Sequence, residues 1–395
     1  MKLANNGQII KANSYIMKMA INKMDVQSYL EKMKEIQNYI IKYLDYGNNN
    51  QEETDNFIEL INDFQIQEDK NEFKSFLRVL LNLSNEHRRY SGFFDKIFQI
   101  LQFFIPQLTD CFTNKEIFNI FKENKRILLF LIEEQILRFN KYVASEIVRL
   151  KYYYYFYPEI KQINFYINDK KATEYEENLN DKFEENRRIG ENNNNLCNLI
   201  RNDIIKEFII YVNQTNLPIK TYRIQHSIFE TNNFLINKKP TLIEYSAFFG
   251  SIQIFRYLHM NSVELTSSIW LYVIHGSNPQ MIHFLEENHI EPYESFETCF
   301  IEAIKCHHNE IAQYLLDNFI TKNDLFLEKL VFDSVKYYNF EFIQTDHLNQ
   351  DRFNDLCENN NSYLVNLLIS NGIVDINKKK IIICIINYTI QTLIN

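Results

Sequence analysis

Residues 241–258 read TLIEYSAFFGSIQIFRYL and residues 268–285 read SIWLYVIHGSNPQMIHFL. Laid over each other at an offset of 27 (258 to 285), the pairs Ser246/Val273, Ala247/Ile274, Ile254/Met281, Phe255/Ile282 and Leu258/Leu285 match in character. A further offset of 30 (285 to 315) brings in Thr298, Ala303, Ile304, Ile311, Ala312 and Leu315, and one of 31 (311 to 342) brings in Ser334, Val335, Phe342 and Ile343. A period in this range is the mark of a repeat array. Each unit reads as a short helix, a turn of two or three residues and a second helix, ending in an apolar pair that packs under the next unit.

Composition agrees with helix. The 395 residues hold only 7 Gly and 6 Pro, where average usage would give about 28 and 20, so the residues that punctuate tight turns and sheet edges are scarce. Asparagine fills 50 positions and travels with Ile, Lys, Tyr and Phe, all with AT-rich codons, which reads as genome bias. Hydrophobic residues at 46% and aromatics at 15% can bury a large core. The net charge of −9 argues against a nucleic-acid binder. No apolar run reaches the ~20 residues a membrane span needs. Six scattered Cys without a C-x-x-C pair are expected to be free thiols of a reducing, cytoplasmic compartment.

Upstream, from Asp25 to about Pro158, the apolar residues fall at helical spacing: Val26, Leu30, Met33, Ile36, Ile40 and Leu44 form one stripe, and Phe93, Phe94, Ile97, Leu101 and Phe104 another, closed by Pro106. Gly47 with Asn48 to Asn50 separates the first two helices. Residues 1–23, rich in Lys before the first acid at Asp25, read as a disordered extension. The expected order is then a helical region at 24–166, a polar linker or excursion at 167–195, and repeats over 196–395 that break off within a unit, on the apolar run Ile381 to Ile394. Residues 117–132 and 196–212 read as degenerate units, and 357–377 as the second half of a more regular one.

The pattern T-x-L-x-x-x-A-x-x-G-x-x-x-I-V-x-x-L-L is that of ankyrin repeats. In 241–258 the Thr241, Ala247, Gly250 and Ile254-Phe255…Leu258 positions sit where it wants them, while Leu242 and Glu244 replace the usual Pro and His. The strings RIGEN (188–192), SIFETN (227–232), LIEYSAFFGSIQIF (242–255), WLYVIH (270–275) and IKCHHN (304–309) also resemble a narrower group, the lineage-expanded ankyrin-repeat proteins of anaerobic protists that carry an N-terminal helical domain of unknown function. The resemblance covers roughly residue 24 to the end. It implies an all-α fold, a helical N-terminal region followed by a degenerate ankyrin solenoid, with more regular units beyond the point where this chain stops, and it brings no catalytic residues.

Chemistry-bearing motifs are sparse. Cys299, Cys306, His307 and His308 are the most ligand-like group, but three consecutive residues on a helix point in three directions, and zinc wants spaced ligands. His275, His283 and His289 with Glu286 and Glu287 give H-F-L-E-E-N-H, not H-E-x-x-H. No G-x-S-x-G, G-x-G-x-x-G or phosphate-loop string occurs. Arg88-Arg89 and Arg187-Arg188 lie beside Glu and read as solvated caps, and Tyr152 to Tyr157 as a helical core stripe.

The expectation is a non-enzymatic, monomeric protein-interaction scaffold without cofactor or metal, binding an unidentified protein partner through its concave face and turn tips. The tip residues are Asn261, Glu264, His289, Glu291, Tyr293 and Lys322, with Tyr293 the best anchor unless it starts the core of the next unit. Two alternatives stand beside it: a zinc protein or enzyme built on Cys306, His307 and His308, and a truncated, non-functional or regulatory fragment. The register makes a direct prediction: Leu258→Asp buries an unpaired charge and should cost about 3 kcal/mol or more, whereas Asn261→Asp at a tip should cost almost nothing. Equal melting temperatures for the two variants would show the register to be wrong.

Overall fold

The computed structural model describes residues 24–46, 51–165, 182–349 and 353–374. The expected extension at 1–23, the Gly47 to Asn50 break, residues 167–181 of the polar stretch and the run Ile381 to Ile394 lie outside the described residues. Among the described residues the regular structure is helical, with no strand and one isolated bridge between Arg223 and Thr241. The all-α expectation holds. The chain divides into two compact units, one from Met1–Asn82 with Asn318–Asn395 and the other from Leu83–Asp317.

The first unit begins with α1 (Val26–Tyr46), α2 (Gln51–Asp63) and α3 (Lys70–Glu86), whose last turn belongs to the second unit. The stripe Val26, Leu30, Met33, Ile36, Ile40 and Leu44 is the buried face of α1. Asp25 opens the helix by accepting from the Ser28 amide at 2.9 Å. Tyr43 stacks on Phe57 at 4.3 Å and joins α1 to α2.

The second unit runs through α4 (Phe93–Phe103), α5 (Ile105–Cys111), α6 (Asn114–Phe121), α7 (Lys125–Glu133), α8 (Lys141–Arg149) and α9 (Tyr157–Gln162). Pro106 stands in the first turn of α5, where its fixed φ suits the helix and its missing N–H has no partner to lose. Helices α6 and α7 pack as a pair over the stretch read as a degenerate unit. The aromatic string departs from expectation: residues 153–156 are turns, with Tyr155 and Phe156 buried and the rest of the string half-buried.

Next come α10 (Phe183–Ile189), α11 (Asn195–Arg201), α12 (Ile205–Thr215), α13 (Asn233–Ile236), α14 (Leu242–Phe248), α15 (Ile252–Met260), α16 (Ile269–Gly276), α17 (Pro279–Glu287), α18 (Phe296–Lys305) and α19 (Asn309–Asn318). First helices α11, α14, α16 and α18 pack in one row, each against the next. Second helices are joined by edge-to-face ring contacts, Phe208 to Tyr257, Phe255 to Phe284 and His283 to Tyr314, with interplanar angles of 83°, 89° and 85°. Thr241 and Glu244 close a capping box at the start of α14, so Glu244 holds this helix start by hydrogen bonds of its own.

The turn inside each pair has one recurring form. A residue with positive φ ends the first helix: Asp203, Gly250, Ser277 and His307. The last three stand 27 and 30 residues apart, the offsets read from the sequence. Side chains of the residues that follow then donate to the preceding pair: Ser251 Oγ to the Ile200 carbonyl at 2.6 Å, and Asn278 Nδ2 to the Gly250 carbonyl at 3.1 Å. At the corresponding position of the next pair the His308 ring faces the His275 carbonyl. Asp203 adds a rung by accepting from the Gln253 and Ile254 amides, capping the second helix of the next pair.

The first unit is completed by α20 (Asp324–Lys336), a 3₁₀ turn at Phe340–Phe342, α21 (Phe353–Glu358) and α22 (Ser362–Ser370). The same turn recurs here, with Tyr338 and Asn360 at positive φ and Asn361 donating to the Val335 carbonyl at 3.1 Å. Gln37 of α1, fully buried, accepts from the Phe340 amide and donates to Asn339.

Where α14 meets α16 the backbones touch. A Cβ on Gly276 would stand 2.0 Å from the Ala247 carbonyl. Gly276→Ala should therefore destabilise by about 2–3 kcal/mol, while Ser277→Gly, next along and left-handed, should be neutral or gain up to about 1 kcal/mol. Chemical denaturation of both variants checks this, and a harmless Gly276→Ala would overturn the close approach.

Candidate functional site

The tips proposed from sequence are all at the surface. Asn261, Glu264, His289, Glu291, Tyr293 and Lys322 are exposed, and Tyr293 at 80% is no core residue. Met260, the last residue of α15, is 82% exposed and adds an apolar group that the sequence reading did not single out. Met260 ends the second helix of one stacked pair, and Tyr293 lies in the connection that follows the second helix of the next. His289 holds a positive φ of 54°, which fixes where the chain leaves α17.

The ligand-like residues are brought together in a different combination from the one the sequence suggested. Cys306, His307 and His308 diverge: the Cys306 thiol faces His275, His307 Nδ1 lies 3.2 Å from the Lys305 carbonyl, and His308 packs its ring on His87 at 4.7 Å. The group that converges is His275, Glu302 and Cys306, whose ligand atoms lie within 4.8 Å of one another. His275 Nε2 is 2.7 Å from Glu302 Oε1, and a proton donated there leaves Nδ1 facing the Cys306 sulfur at 3.3 Å. Lys305 Nζ closes the other side, 3.1 Å from Glu302 and 3.1 Å from Glu86.

The electrostatics are those of a closed ion-pair network. Burial works against the Glu302 carboxylate, but its interactions with His275 and Lys305 outweigh it and pull its pKa to about 2. Burial likewise opposes the Lys305 ammonium, and Glu302 and Glu86 raise it nonetheless. The Cys306 thiol is pushed well up, first by burial and then by Glu302, which disfavours the thiolate a metal ligand needs. An ammonium already bonded to the carboxylate also occupies the place of a cation. The sequence held one signal for this group: at the offset of 30, His275 and Lys305 are equivalent positions of successive units, so stacking sets them side by side.

Two basic pairs read as solvated need correction. Arg89 and Arg187 are buried. Arg187 donates to Glu159, Glu184 and the Tyr155 carbonyl, and Arg89 to Thr231 and the Ser84 carbonyl. Arg188 alone fits the surface reading, paired with Glu133 at 2.9 Å. Among the described residues no helix is long and apolar enough to cross a membrane.

His308 carries a pH prediction. Burial, then repulsion from His87, His275 and Arg88, hold its imidazole well below the usual 6.5, against the raising effect of its bond to the His275 carbonyl. The unfolded chain takes up this proton near pH 6.5 and the folded chain does not, so the fold loses stability as pH falls below 6.5, by at most about 1.4 kcal/mol per pH unit from this group. His308→Asn keeps a donor for the carbonyl, as Asn278 and Asn361 do in their turns, but cannot titrate. Its stability between pH 7.5 and 5 should decline less steeply than that of the parent, and parallel curves by urea unfolding would refute the assignment.

No family model, no curated protein and no solved structure matches this chain.

Proposed function

We propose that the chain is a non-catalytic protein-binding module, a degenerate ankyrin-type solenoid that holds a partner protein along its edge of turn tips. The observation that carries this reading is the pair of exposed side chains Met260, at the end of α15, and Tyr293, in the connection after α17, on a stack whose turns recur at the repeat offset. Short helical pairs stacked on one another are fixed in relative position by their neighbours, so side chains at the tips are presented on a rigid base. An exposed Tyr offers a large apolar face with one polar handle, and Met adapts its shape to a partner surface. His289 and Glu291 beside Tyr293, and Asn261 and Glu264 beside Met260, supply the polar rim that such anchors need. Lys322 is a tip residue of the first unit.

The ankyrin assignment is supported by the match of 241–258 to the repeat pattern and by the left-handed residue at Gly250, where that pattern places its glycine. The zinc alternative receives little support, because the buried carboxylate, imidazole and thiol already satisfy one another and an ammonium.

Immobilised full-length chain should retain a discrete protein from its native cell extract. A Met260→Ser, Tyr293→Ser double variant should lose at least about tenfold in affinity for it, the range of one central interface anchor or more. Ile210→Ser, exposed elsewhere on α12, should bind as the parent does. Equal retention by all three, with unchanged melting temperatures, would remove the edge from consideration.

A further inference from the structure

Residues 257–304 hold seven Glu and neither Lys nor Arg, although the chain's 42 Lys and Arg in 395 positions would place about five there. Codon bias supplies Lys freely to the rest of the chain, so composition works against this gap. Three of the acids are committed. Glu302 holds His275 and Lys305, Glu286 accepts from Tyr314 at 2.8 Å and lies 3.2 Å from His283, and Glu294 accepts from Thr298 at 3.0 Å. Among the described residues nothing bonds the carboxylates of Glu264, Glu287, Glu291 and Glu297, the first three of them exposed.

Exposed carboxylates alone are a solvated face, and what sets this stretch apart is the ring among them. Tyr293 is 80% exposed, and among the described residues its hydroxyl has no partner. The connection that carries it, between α17 and α18, is held at both ends by the buried Trp270: the indole donates to the Ile290 carbonyl, and its ring meets Phe296 edge-on at 5.2 Å. Tyr293 stands midway between those contacts, with Pro292 fixing the backbone before it. Glu291 and Glu294 lie within two residues of it, so their backbones stay within about 7 Å. An anchored, exposed ring with a carboxylate on either side attracts a cation through its π face and through charge together. A Lys or Arg side chain also brings an alkyl stem to cover the ring, which a hydrated metal ion does not.

We propose that the connection 288–295 receives a Lys- or Arg-rich segment of the partner protein, with one basic side chain lying on the Tyr293 ring between Glu291 and Glu294 and further basic residues meeting Glu287 and Glu297. The inference rests on the reading of the turn tips as a docking surface and gives the partner its chemistry. Because the facing charges are exposed, they speed the encounter and make the complex sensitive to salt.

Fluorescence anisotropy of labelled octalysine titrated with the full chain tests it. One saturable complex is expected, weakened about fivefold or more by Glu291→Gln with Glu294→Gln. Tyr293→Leu, which keeps apolar bulk without a π face, should weaken it about threefold or more. Glu52→Gln with Glu59→Gln removes the same charge from exposed positions of α2 and should bind as the parent does. Absence of saturable binding, an equal loss in the α2 pair, marking attraction to the chain as a whole, or unchanged binding by Tyr293→Leu, marking a charged face open to any cation, would each overturn the proposal. Self-association of the chain through the same residues, read by sedimentation, would put a second copy in the partner's place and overturn it as well. The docking reading fails separately. A protein retained from extract through Met260 and Tyr293 that neither octalysine nor a rise to about 0.5 M salt releases would keep that reading and overturn the basic segment, whereas release by both supports it. No retained protein and no peptide binding would remove both.

Discussion

The turn between paired helices is the constraint on which the repeat stack rests. Helices of 7 to 11 residues, the lengths of α11, α12 and α14 to α19, are too short to persist alone in water, because nucleation costs more than so few hydrogen bonds return. Each also ends with carbonyls that its own backbone cannot satisfy. A single left-handed residue reverses the chain in three residues, and the side chain that follows reaches a carbonyl of the pair before. Each pair therefore completes the hydrogen bonding of its neighbour, and the order of stacking is written into the donors Ser251 and Asn278. The apolar rows supply most of the stabilisation, but it is the polar rungs that fix which pair follows which.

Much of this was legible in advance, because helical periodicity and the repeat offset are local properties of the chain. The offsets of 27 and 30 recur as the spacing of the left-handed residues Gly250, Ser277 and His307. What hid the turns is that a glycine stands at only one of the three, so the usual marker of the conformation was missing. The pairing of residues before Asn82 with those after Asn318 in one unit was not legible. It rests on contacts such as Gln37 with Asn339 and Phe340, 302 and 303 residues apart, and no periodicity encodes a partner so distant. The polar stretch at 182–195, read as part of a linker, falls within the second unit, where Phe183 and Arg187 are buried.

The same limit explains the arginines. Charge beside charge in sequence suggests a solvated face, and burial is decided by what packs from elsewhere. Arg89 meets Thr231 and Arg187 meets Tyr155 and Glu159, partners 28 to 142 residues away. A buried guanidinium survives where acceptors meet its terminal nitrogens, as they do at Arg89 and Arg187.

The asparagine excess finds its physical accommodation in these turns. Asparagine side chains cap α7, α8, α11, α13, α17 and α20 from Asn124, Asn140, Asn194, Asn232, Asn278 and Asn323. The residue tolerates the left-handed region, as Asn360 does here, and its amide donates to a neighbouring carbonyl while its oxygen accepts from a helix start. Asn278 does both at once, capping α17 and bonding Gly250. A chain poor in glycine, proline and serine could thus keep a regular stack by letting one residue type serve as cap, turn former and rung. At His308 an imidazole stands in the place of that amide, which ties one rung of the ladder to pH.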